Sequence, residues 1–335
     1  YSTDYPSRIT TCTKDDFKEN RSLEEFKDFS SKLLIGLNKI FSHWNGYIYH
    51  FTHVENAASI LQSSSVLPRG KRKFKDSAGQ SLIGRTKDYI KQNFARFYFR
   101  PLTPTQWHNE LLGSRVGKIH ALCPVPIFFR FKLEDVLETH GARCAVSNGN
   151  LAIDSTHYGN SVEFLNHFDF DNIYNMFGDS GYKTASQQEF IVKNGLRFAH
   201  NIDFEIICRN AQDKETLINL IGCNSNYVDK IQISNSFYNN QNSYVKIEKT
   251  NSSINVSLQL YNDSITGKIR FLSWEGYLYL KSINSTAEDI IKINVNKQLL
   301  AEAKTNICLE TERITSFYVY FVEDEKEWLV YQYEV

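Results

Sequence analysis

The sequence has no long apolar run, no paired-cysteine motif and no secretion signal, and each absence narrows the class of protein. No stretch approaches the roughly 18 consecutive apolar residues that a membrane-spanning helix needs. The opening YSTDYPSRITTCTKDD lacks the basic start and apolar stretch of a signal peptide. The six cysteines lie far apart without a CxxC pair, which is typical of buried free thiols in a reducing compartment. These features predict a soluble, cytoplasmic protein with no membrane partner.

Net charge is also absent overall, because 38 basic residues balance 38 acidic ones, but the two signs are unevenly distributed. Residues 60–118 contain twelve lysines and arginines against three acidic residues, whereas the last 35 residues carry an acidic excess. Such asymmetry favours a basic surface that meets a polyanion. The alternative is that exposed lysines merely keep a loop soluble.

The pattern of apolar residues predicts an α+β domain followed by an all-β, sandwich-like domain. Ser22 and Glu25 have the spacing of a helix capping box, and apolar residues at helical intervals predict one helix over 22–43. Short apolar runs then predict strands at 97–99, 120–125, 128–131, 189–192 and 204–208, and helices at 133–140 and 213–222. The last segment, SFYVYFVEDEKEWLVYQYEV, predicts a hairpin with a charged tip. We therefore expect a helical extension over 1–45, a first domain over 46–222 and a β-rich domain over 225–335.

Two short segments contain polar residues that could carry chemistry. His50 and His53 might suggest a metal, but on a strand they point to opposite faces, and no third ligand recurs nearby, so we expect no metal site. From spacing alone, His50 is more typical of a core histidine. Gln187 and Glu189 are two residues apart, so on an extended backbone both side chains leave by the same face. A carboxylate there can stabilise positive charge on a ribose, as carboxylates do in glycosidic cleavage, or can simply mark a solvated strand end.

Three motifs together resemble those of a known family. YHFTHVENAASIL at 49–61, FYFRPLTPTQ at 97–106 and QQEFIV at 187–192 stand in the order and at the separations of the DarT family. This is a family of bacterial toxins that transfer ADP-ribose from NAD to bases in DNA. The resemblance implies a split-sheet ADP-ribosyltransferase fold, NAD as co-substrate, and Glu189 as the catalytic acid.

The same resemblance implies roles for residues around the NAD cleft. His50, Thr52 and Asn56 would bind NAD, together with Gln187 and with Tyr98, whose ring could stack on nicotinamide. For Tyr98, packing in the core is an equal alternative.

An arginine of the family's catalytic machinery corresponds best to Arg85, in SLIGRTKDYIKQ. A guanidinium there could orient phosphates or an ionised base. Arg96 and Arg100 are the other candidates.

Two segments are candidates for binding the acceptor. The loop RGKRKFKDSAGQS interleaves basic residues with Phe74, a pattern suited to phosphate contacts and base stacking, and Lys71, Arg72 and Lys73 are its central cations. A solvated loop would look the same. Tyr182 and Lys183 lie in the segment before Glu189 where related transferases recognise their targets.

The sequence thus predicts an enzyme that modifies a nucleobase, most simply in single-stranded DNA, because an unpaired base can be reached without unstacking. The turn at 101–113 departs from the family pattern, so thymine, guanine and RNA bases remain open. Alternatives are a transferase acting on RNA or protein and a binding module that has lost catalysis. A toxin or phage-defence role, with an antitoxin partner, follows from the resemblance alone.

Overall fold

The structure is a computed structural model, and it describes most of the chain. The described residues are 14–71, 75–77, 80–110, 123–176, 180–198, 201–250, 253–259, 261–262, 269–270, 276–284, 288–295, 307–310, 314–323 and 326–334.

Eight α-helices are formed in the described part of the chain. They are α1 Leu23–Asn38, α2 Val54–Ser63, α3 Gln80–Arg85, α4 Asp88–Asn93, α5 Pro104–Glu110, α6 Leu133–His140, α7 Ser180–Ala185 and α8 Ala211–Ile221. The predicted capping box is present, because the Glu25 backbone N–H donates to Ser22 Oγ while the Ser22 N–H donates to the Glu25 carboxylate. The helix predicted over 22–43 is shorter than expected, since it ends at a C-cap, Lys39.

The strands of the described residues form one large sheet and several smaller sheets. They are β1 Tyr47–His53, β2 Ser65–Val66, β3 Phe94–Tyr98, β4 Pro126–Lys132, β5 Cys144–Ser147, β6 Tyr158–Gly159, β7 Glu189–Lys193, β8 Leu196–Arg197, β9 Phe204–Cys208, β10 Ile231–Ile233, β11 Val245–Lys249, β12 Ser253–Leu258, β13 Tyr261–Asn262, β14 Ile269–Arg270, β15 Gly276–Asn284, β16 Glu288–Val295, β17 Ile307–Glu310, β18 Ile314–Glu323 and β19 Lys326–Glu334.

The large sheet has eight strands in the order β10-β9-β4-β1-β3-β7-β5-β6. It is mixed, since β10 is parallel to β9 and the other pairings are antiparallel. β1 pairs with β4 along its whole length but with β3 only at Tyr49 and Tyr98 among these described strand residues. The sheet therefore divides into two halves at the boundary between β1 and β3.

Most of the predicted elements near this division are formed. α6 and β9 have the predicted bounds, and the strands predicted at 128–131 and 189–192 lie within β4 and β7. The strand predicted at 120–125 is wrong for 123–125, because β4 begins only at Pro126 and the Val125 carbonyl instead accepts from the Val54 N–H at the start of α2, at 3.0 Å. Residues 120–122 of that prediction lie outside the described part.

The predicted buried thiols are found at Cys123, Cys144 and Cys208, but Cys223 is exposed. Burial raises the pKa of Cys144 to about 12, so that thiol stays protonated and unreactive at neutral pH.

The C-terminal hairpin forms as predicted from β18 and β19 and packs against the first part of the chain. α8 packs on β19 and on α2, and the backbone of β19 makes hydrogen bonds at the start of α2. The ring of His53 bonds the Leu329 carbonyl at 3.0 Å, and the Leu329 N–H donates to Glu55 Oε2 at 3.2 Å. Glu55 also pairs with Lys75 at 2.7 Å. The final strand thus contacts His53 and Glu55, which lie within the segment YHFTHVENAASIL at 49–61.

Candidate active site

The division of the sheet opens a cleft with two connected chambers. The α2 chamber is lined by Thr52, Asn56 and basic residues including Arg69 and Lys75. The Glu189 chamber contains Tyr98, Asn150 and Glu189. Both chambers are lined by His50, Phe51, Arg69, Ser77, Thr86 and Arg96. A long ligand can therefore extend from one chamber into the other.

An ion pair between Arg96 and Glu189 forms the floor of the Glu189 chamber. Tyr98 on β3 stands opposite Glu189 on β7, and Arg96 lies two residues earlier on the same face of β3. Arg96 Nε donates to Glu189 Oε2 and Nη2 donates to Oε1, both at 2.5 Å. The Leu151 N–H also donates to Glu189 Oε1, at 2.9 Å. The carboxylate is thus held in one orientation by three donors.

The two partners of this pair differ in access to the cleft. The Glu189 side chain is 1% exposed, whereas that of Arg96 is 28% exposed. Burial disfavours the charged guanidinium, but the adjacent Glu189 carboxylate more than offsets that cost and raises the pKa of Arg96 above its usual value. Arg96 is therefore the more exposed partner, and both residues line the Glu189 chamber.

His50 lies at the division of the sheet, where it reaches both chambers. Its Nδ1 is 3.1 Å from the Arg96 carbonyl oxygen, and since a carbonyl only accepts, Nδ1 carries the proton. Burial lowers the pKa of His50 to about 4, so the ring is neutral at physiological pH. Nε2 is then the acceptor of the ring and suits a hydroxyl donor such as that of a ribose.

Thr52 and Asn56 line the α2 chamber as predicted for NAD-binding residues, but the Asn56 amide is engaged within the protein. Asn56 Nδ2 donates to the Lys75 carbonyl at 2.8 Å, and Asn56 Oδ1 accepts from the Lys75 N–H at 3.0 Å. Asn56 therefore fixes the segment that brings the ammonium of Lys75 to the chamber wall.

Tyr98 and Gln187 are close to Glu189. Burial raises the pKa of Tyr98 to about 12, so its hydroxyl is protonated and can donate or accept in the chamber. Gln187 Oε1 accepts from Asn150 Nδ2 at 3.1 Å and from Thr105 Oγ1 at 3.2 Å. Gln187 Nε2 donates to the Lys183 carbonyl at 2.8 Å. The predicted association of Gln187 with the glutamate is therefore indirect and passes through Asn150.

The three candidate arginines lie in different surroundings. Arg85 is exposed at the end of α3 and is not part of the lining of either chamber. Arg100 is buried and donates to the backbone carbonyls of Pro101 and Asn175, so its charge holds the turn after β3. Burial lowers the pKa of Arg100 to about 10. Of the three, Arg96 is the one that contacts Glu189.

Among the candidate acceptor-binding residues, Lys71, Tyr182 and Lys183 are not part of the lining of the chambers. Lys71 is exposed, and its Nζ donates to Asn194 Oδ1 at 2.8 Å, next to the turn after β7. Arg72 and Lys73 lie outside the described residues. Tyr182 and Lys183 are on α7, where Tyr182 is half-buried and Lys183 is exposed. The last two remain candidates for contacts at the rim.

In the described ranges, no group of three or more His, Cys, Asp or Glu side chains could hold a metal ion. Among the helices of the same ranges, none is both long and apolar enough to cross a membrane.

Sequence reasoning missed three residues of the cleft. Asn150 lies in a loop and Thr105 in the first turn of α5, and nothing in their local sequence distinguishes them from surface residues. Arg69 reaches both chambers and pairs with Asp76 at 3.3 Å, but in the sequence it is one of many cations in a basic segment. Burial lowers the pKa of Arg69, although the Asp76 carboxylate opposes that shift.

A divided mixed sheet with a buried glutamate at the start of a strand facing a two-chamber cleft is the arrangement of an ADP-ribosyltransferase. The family model described as "ssDNA thymidine ADP-ribosyltransferase, DarT" matches residues 49–239, which is more than half of the chain. The chain belongs to the DarT family. This match confirms the family indicated by the three motifs, and with it the predicted class of NAD-dependent ADP-ribosyltransferase with a single-stranded DNA partner.

Solved structures of similar fold include the DarT of Thermus sp. 2.9 in two complexes. The complex with ADP-ribosylated ssDNA is 16% identical with a TM-score of 0.47, and covers 58% of this chain and 96% of that chain. The complex with NAD+ is 15% identical with a TM-score of 0.44, and covers 59% of this chain and 100% of that chain. No curated protein matches the chain by sequence.

Proposed function

We propose that this chain transfers ADP-ribose from NAD to a thymidine base of single-stranded DNA, with Glu189 as the catalytic carboxylate. The observation that carries the proposal is the pairing of Glu189 with Arg96 on the floor of a cleft that His50 and Tyr98 also line. Thymidine is the base in the family's description.

The lining of the cleft suits a dinucleotide. The α2 chamber combines apolar side chains with Arg69 and Lys75, which supply positive charge for a pyrophosphate. The neutral ring of His50 offers Nε2 to a ribose hydroxyl, and Thr52 adds a hydroxyl beside it. In this arrangement NAD would extend from the α2 chamber, with its nicotinamide ribose directed towards Glu189.

Glu189 is suited to stabilise the positive charge that develops on the ribose as nicotinamide departs. Oε1 already accepts from Arg96 and Leu151, whereas among the described contacts Oε2 accepts from Arg96 alone. A carboxylate oxygen can accept two hydrogen bonds, so Oε2 retains capacity for a ribose hydroxyl. The glycosidic electron pair leaves with nicotinamide, a nitrogen of the base forms the new bond to the same carbon, and the proton of that nitrogen is released.

Arg96 is the arginine that geometry favours for a direct role, since its guanidinium holds the carboxylate by two parallel bonds. Arg85, the arginine implied by the motifs, stays a candidate for contacting the acceptor from the rim, because it is exposed and carries a permanent charge. Lys71 and Lys183 are proposed contacts for the DNA strand on the same basis of charge and exposure, and Arg72, Lys73 and Tyr182 are proposed from the sequence alone.

The division of the chain is also a proposal. Residues 1–45 would form a helical extension, 46–222 the transferase domain, and 225–335 a β-rich accessory domain of sandwich type. It is supported by the change from mixed to strand-only elements after Phe237 and by a family match that ends at 239. A toxin or defence role with an antitoxin partner is proposed from the family, and a cytoplasmic location from the free cysteines.

The test is incubation of the protein with labelled NAD and four acceptors: single-stranded DNA with thymidine, the same strand without it, RNA, and total protein. Label on the thymidine strand alone is the expected result, and it should be lost in Glu189→Gln. Label on RNA or on protein would show that the acceptor is that molecule and not DNA. No label on any acceptor would favour a binding module.

A further inference from the structure

We propose that Asn150 is a positioning residue that fixes the Arg96–Glu189 pair and couples it to Gln187 and Thr105. The proposal rests on the proposed function, since it concerns how that site is held for transfer. Asn150 lies in the loop after β5, is 4% exposed and borders the Glu189 chamber.

The amide of Asn150 uses all its hydrogen-bonding positions. Oδ1 accepts from Arg96 Nη2 at 3.2 Å and from the Ala152 N–H at 2.9 Å. Nδ2 donates to Thr105 Oγ1 at 3.2 Å and to Gln187 Oε1 at 3.1 Å. A primary amide is suited to this place because it offers two donors and two acceptor sites, whereas a carboxylate lacks the donors.

These contacts define the plane of the Arg96 guanidinium. Glu189 holds Nε and Nη2, and Thr86 Oγ1 accepts from Nη1 at 3.5 Å. Asn150 takes the second hydrogen of Nη2, so the guanidinium is also tied to the loop after β5. The same loop supplies the Leu151 N–H to Glu189 Oε1. Loss of Asn150 would therefore leave the ion pair intact but remove the direct bond from the guanidinium to this loop.

The Nδ2 group of Asn150 contacts two further polar residues, Thr105 and Gln187. Thr105 on α5 and Gln187 before β7 come from separate elements, and Asn150 donates to both. Thr105 also donates to Gln187 Oε1 at 3.2 Å. A single amide thus links the Arg96–Glu189 pair to polar side chains of α5 and of the segment before β7.

The experiment compares Asn150→Asp, Asn150→Ala and the control Asn148→Ala. Asn148 lies in the same loop, and its Oδ1 accepts from the His157 N–H at 2.9 Å rather than from the Arg96–Glu189 pair. We expect both Asn150 variants to lose about 10- to 100-fold in kcat with little change in KM for NAD, because misorientation of a reacting group is costly. Asn148→Ala should keep the wild-type kcat.

A pH profile separates positioning from general loss of structure. Asn150→Asp keeps an acceptor for Arg96 Nη2 but loses both donors to Thr105 and Gln187, and it adds a titratable carboxylate that faces Glu189 and the Arg96 guanidinium. The ratio of its kcat to that of wild type should therefore change with pH, while the ratio for Asn150→Ala stays constant. Wild-type kcat in both Asn150 variants, or an equal loss in Asn148→Ala, would overturn the proposal.

Nuclear magnetic resonance of the Arg96 Nε–H provides a readout that does not need transfer. Its hydrogen exchange should accelerate in Asn150→Ala and stay unchanged in Asn148→Ala. If the wild-type protein labels no acceptor, the proposed function fails while this measurement still tests the positioning. Unchanged exchange in Asn150→Ala would refute the positioning role even in an active enzyme.

Discussion

Two of the arginine–carboxylate pairs among the described residues, Arg96–Glu189 and Arg209–Asp213, differ in their access to open space. Arg96 and Glu189 are 2.5 Å apart with 28% and 1% of their side chains exposed, and they border the cleft. Arg209 and Asp213 are 3.0 Å apart with 1% and 0% exposed, at the start of α8. The first pair can meet a ligand, whereas the second is sealed.

The partners of the sealed pair explain what it does. Arg209 Nη2 donates to the Pro124 carbonyl at 3.2 Å, and Ser243 Oγ donates to Asp213 Oδ1 at 3.2 Å. The pair therefore joins the segment before β4 to the segment before β11. The comparison teaches that a buried ion pair alone does not mark an active site, and that an open side towards a cavity does.

The largest effects are expected from removing one carboxylate of each pair. Glu189→Gln should lower kcat by at least about 10³-fold, because the charge is proposed to act on the transition state. Its folding should change little, since water can reach Arg96. Asp213→Asn should instead lower the free energy of unfolding by about 3–5 kcal/mol, because Arg209 is left buried without its partner.

Urea denaturation and transfer to the thymidine strand measure both quantities on both variants. The proposed distinction fails if Asp213→Asn is as stable as wild type while its folded fraction has lost activity. It also fails if Glu189→Gln retains transfer.

The two pairs also show what could be predicted from sequence. Arg209 and Asp213 are only four residues apart, on either side of the N-cap Asn210 of α8, so their contact is local in the sequence. Arg96 and Glu189 are brought together by the register of β3 with β7, which no local pattern encodes. For that reason the glutamate could be found from its motif, but its arginine partner stood only as a second choice behind Arg85.

The same difference between local and long-range contacts explains which other predictions are confirmed and which residues were missed. The capping box at Ser22 and the final hairpin depend on neighbouring residues and are confirmed. Asn150 approaches Glu189 because β5 pairs with β7, and its loop looks like any polar turn in sequence. The NAD and DNA contacts of individual residues stay predictions.

A second test compares two histidines, His50 and His140, of which one lines the cleft and the other does not. His50 and His140 each bond a backbone carbonyl, of Arg96 at 3.1 Å and of Arg197 at 2.8 Å, but only His50 is among the residues lining the cleft. His50→Ala should raise the Kd for NAD roughly tenfold, since a hydrogen bond in a binding site is worth about 1 kcal/mol. His140→Ala should leave the Kd unchanged.

Calorimetric titration of NAD and thermal melting of each variant separate binding from stability. A normal Kd in folded His50→Ala, with a collapsed melting temperature, would make His50 a core residue.

A third test concerns the contact of β19 with His53. Burial lowers the pKa of His53 to about 4, while the unfolded chain has the ordinary value near 6.5. The unfolded state therefore binds the proton first, and stability present above about pH 6.5 is lost as pH falls towards 4. Between pH 6.5 and 5.5 this loss is on the order of 1 kcal/mol.

Wild type and His53→Gln should be melted in parallel at about pH 7.5, 6.5 and 5.5, in buffers of matched ionic strength. Across this range the unfolded chain takes up a proton at His53 while the folded protein does not. The variant should be less stable at neutral pH and lose less on acidification. A fall in melting temperature of equal size in both proteins would contradict a neutral, buried His53 at the Leu329 contact.

The smallest effect is expected at Lys71, which lies beyond the cleft on an exposed segment. A lysine that contacts a phosphate releases a counterion, so affinity for single strands falls with salt at a log-log slope of roughly −0.7 per contact. Lys71→Ser should make the slope shallower by at most about 0.7, and replacement of Lys71, Arg72 and Lys73 together by up to about two units. Lys27→Ser, an exposed lysine on α1, serves as the control. Fluorescence anisotropy of a labelled oligonucleotide across a salt series measures these slopes. A triple variant with the wild-type slope and wild-type DNA modification would show that this basic segment is only a solvated loop, and would leave DNA recognition to the rim around Tyr182 and Lys183.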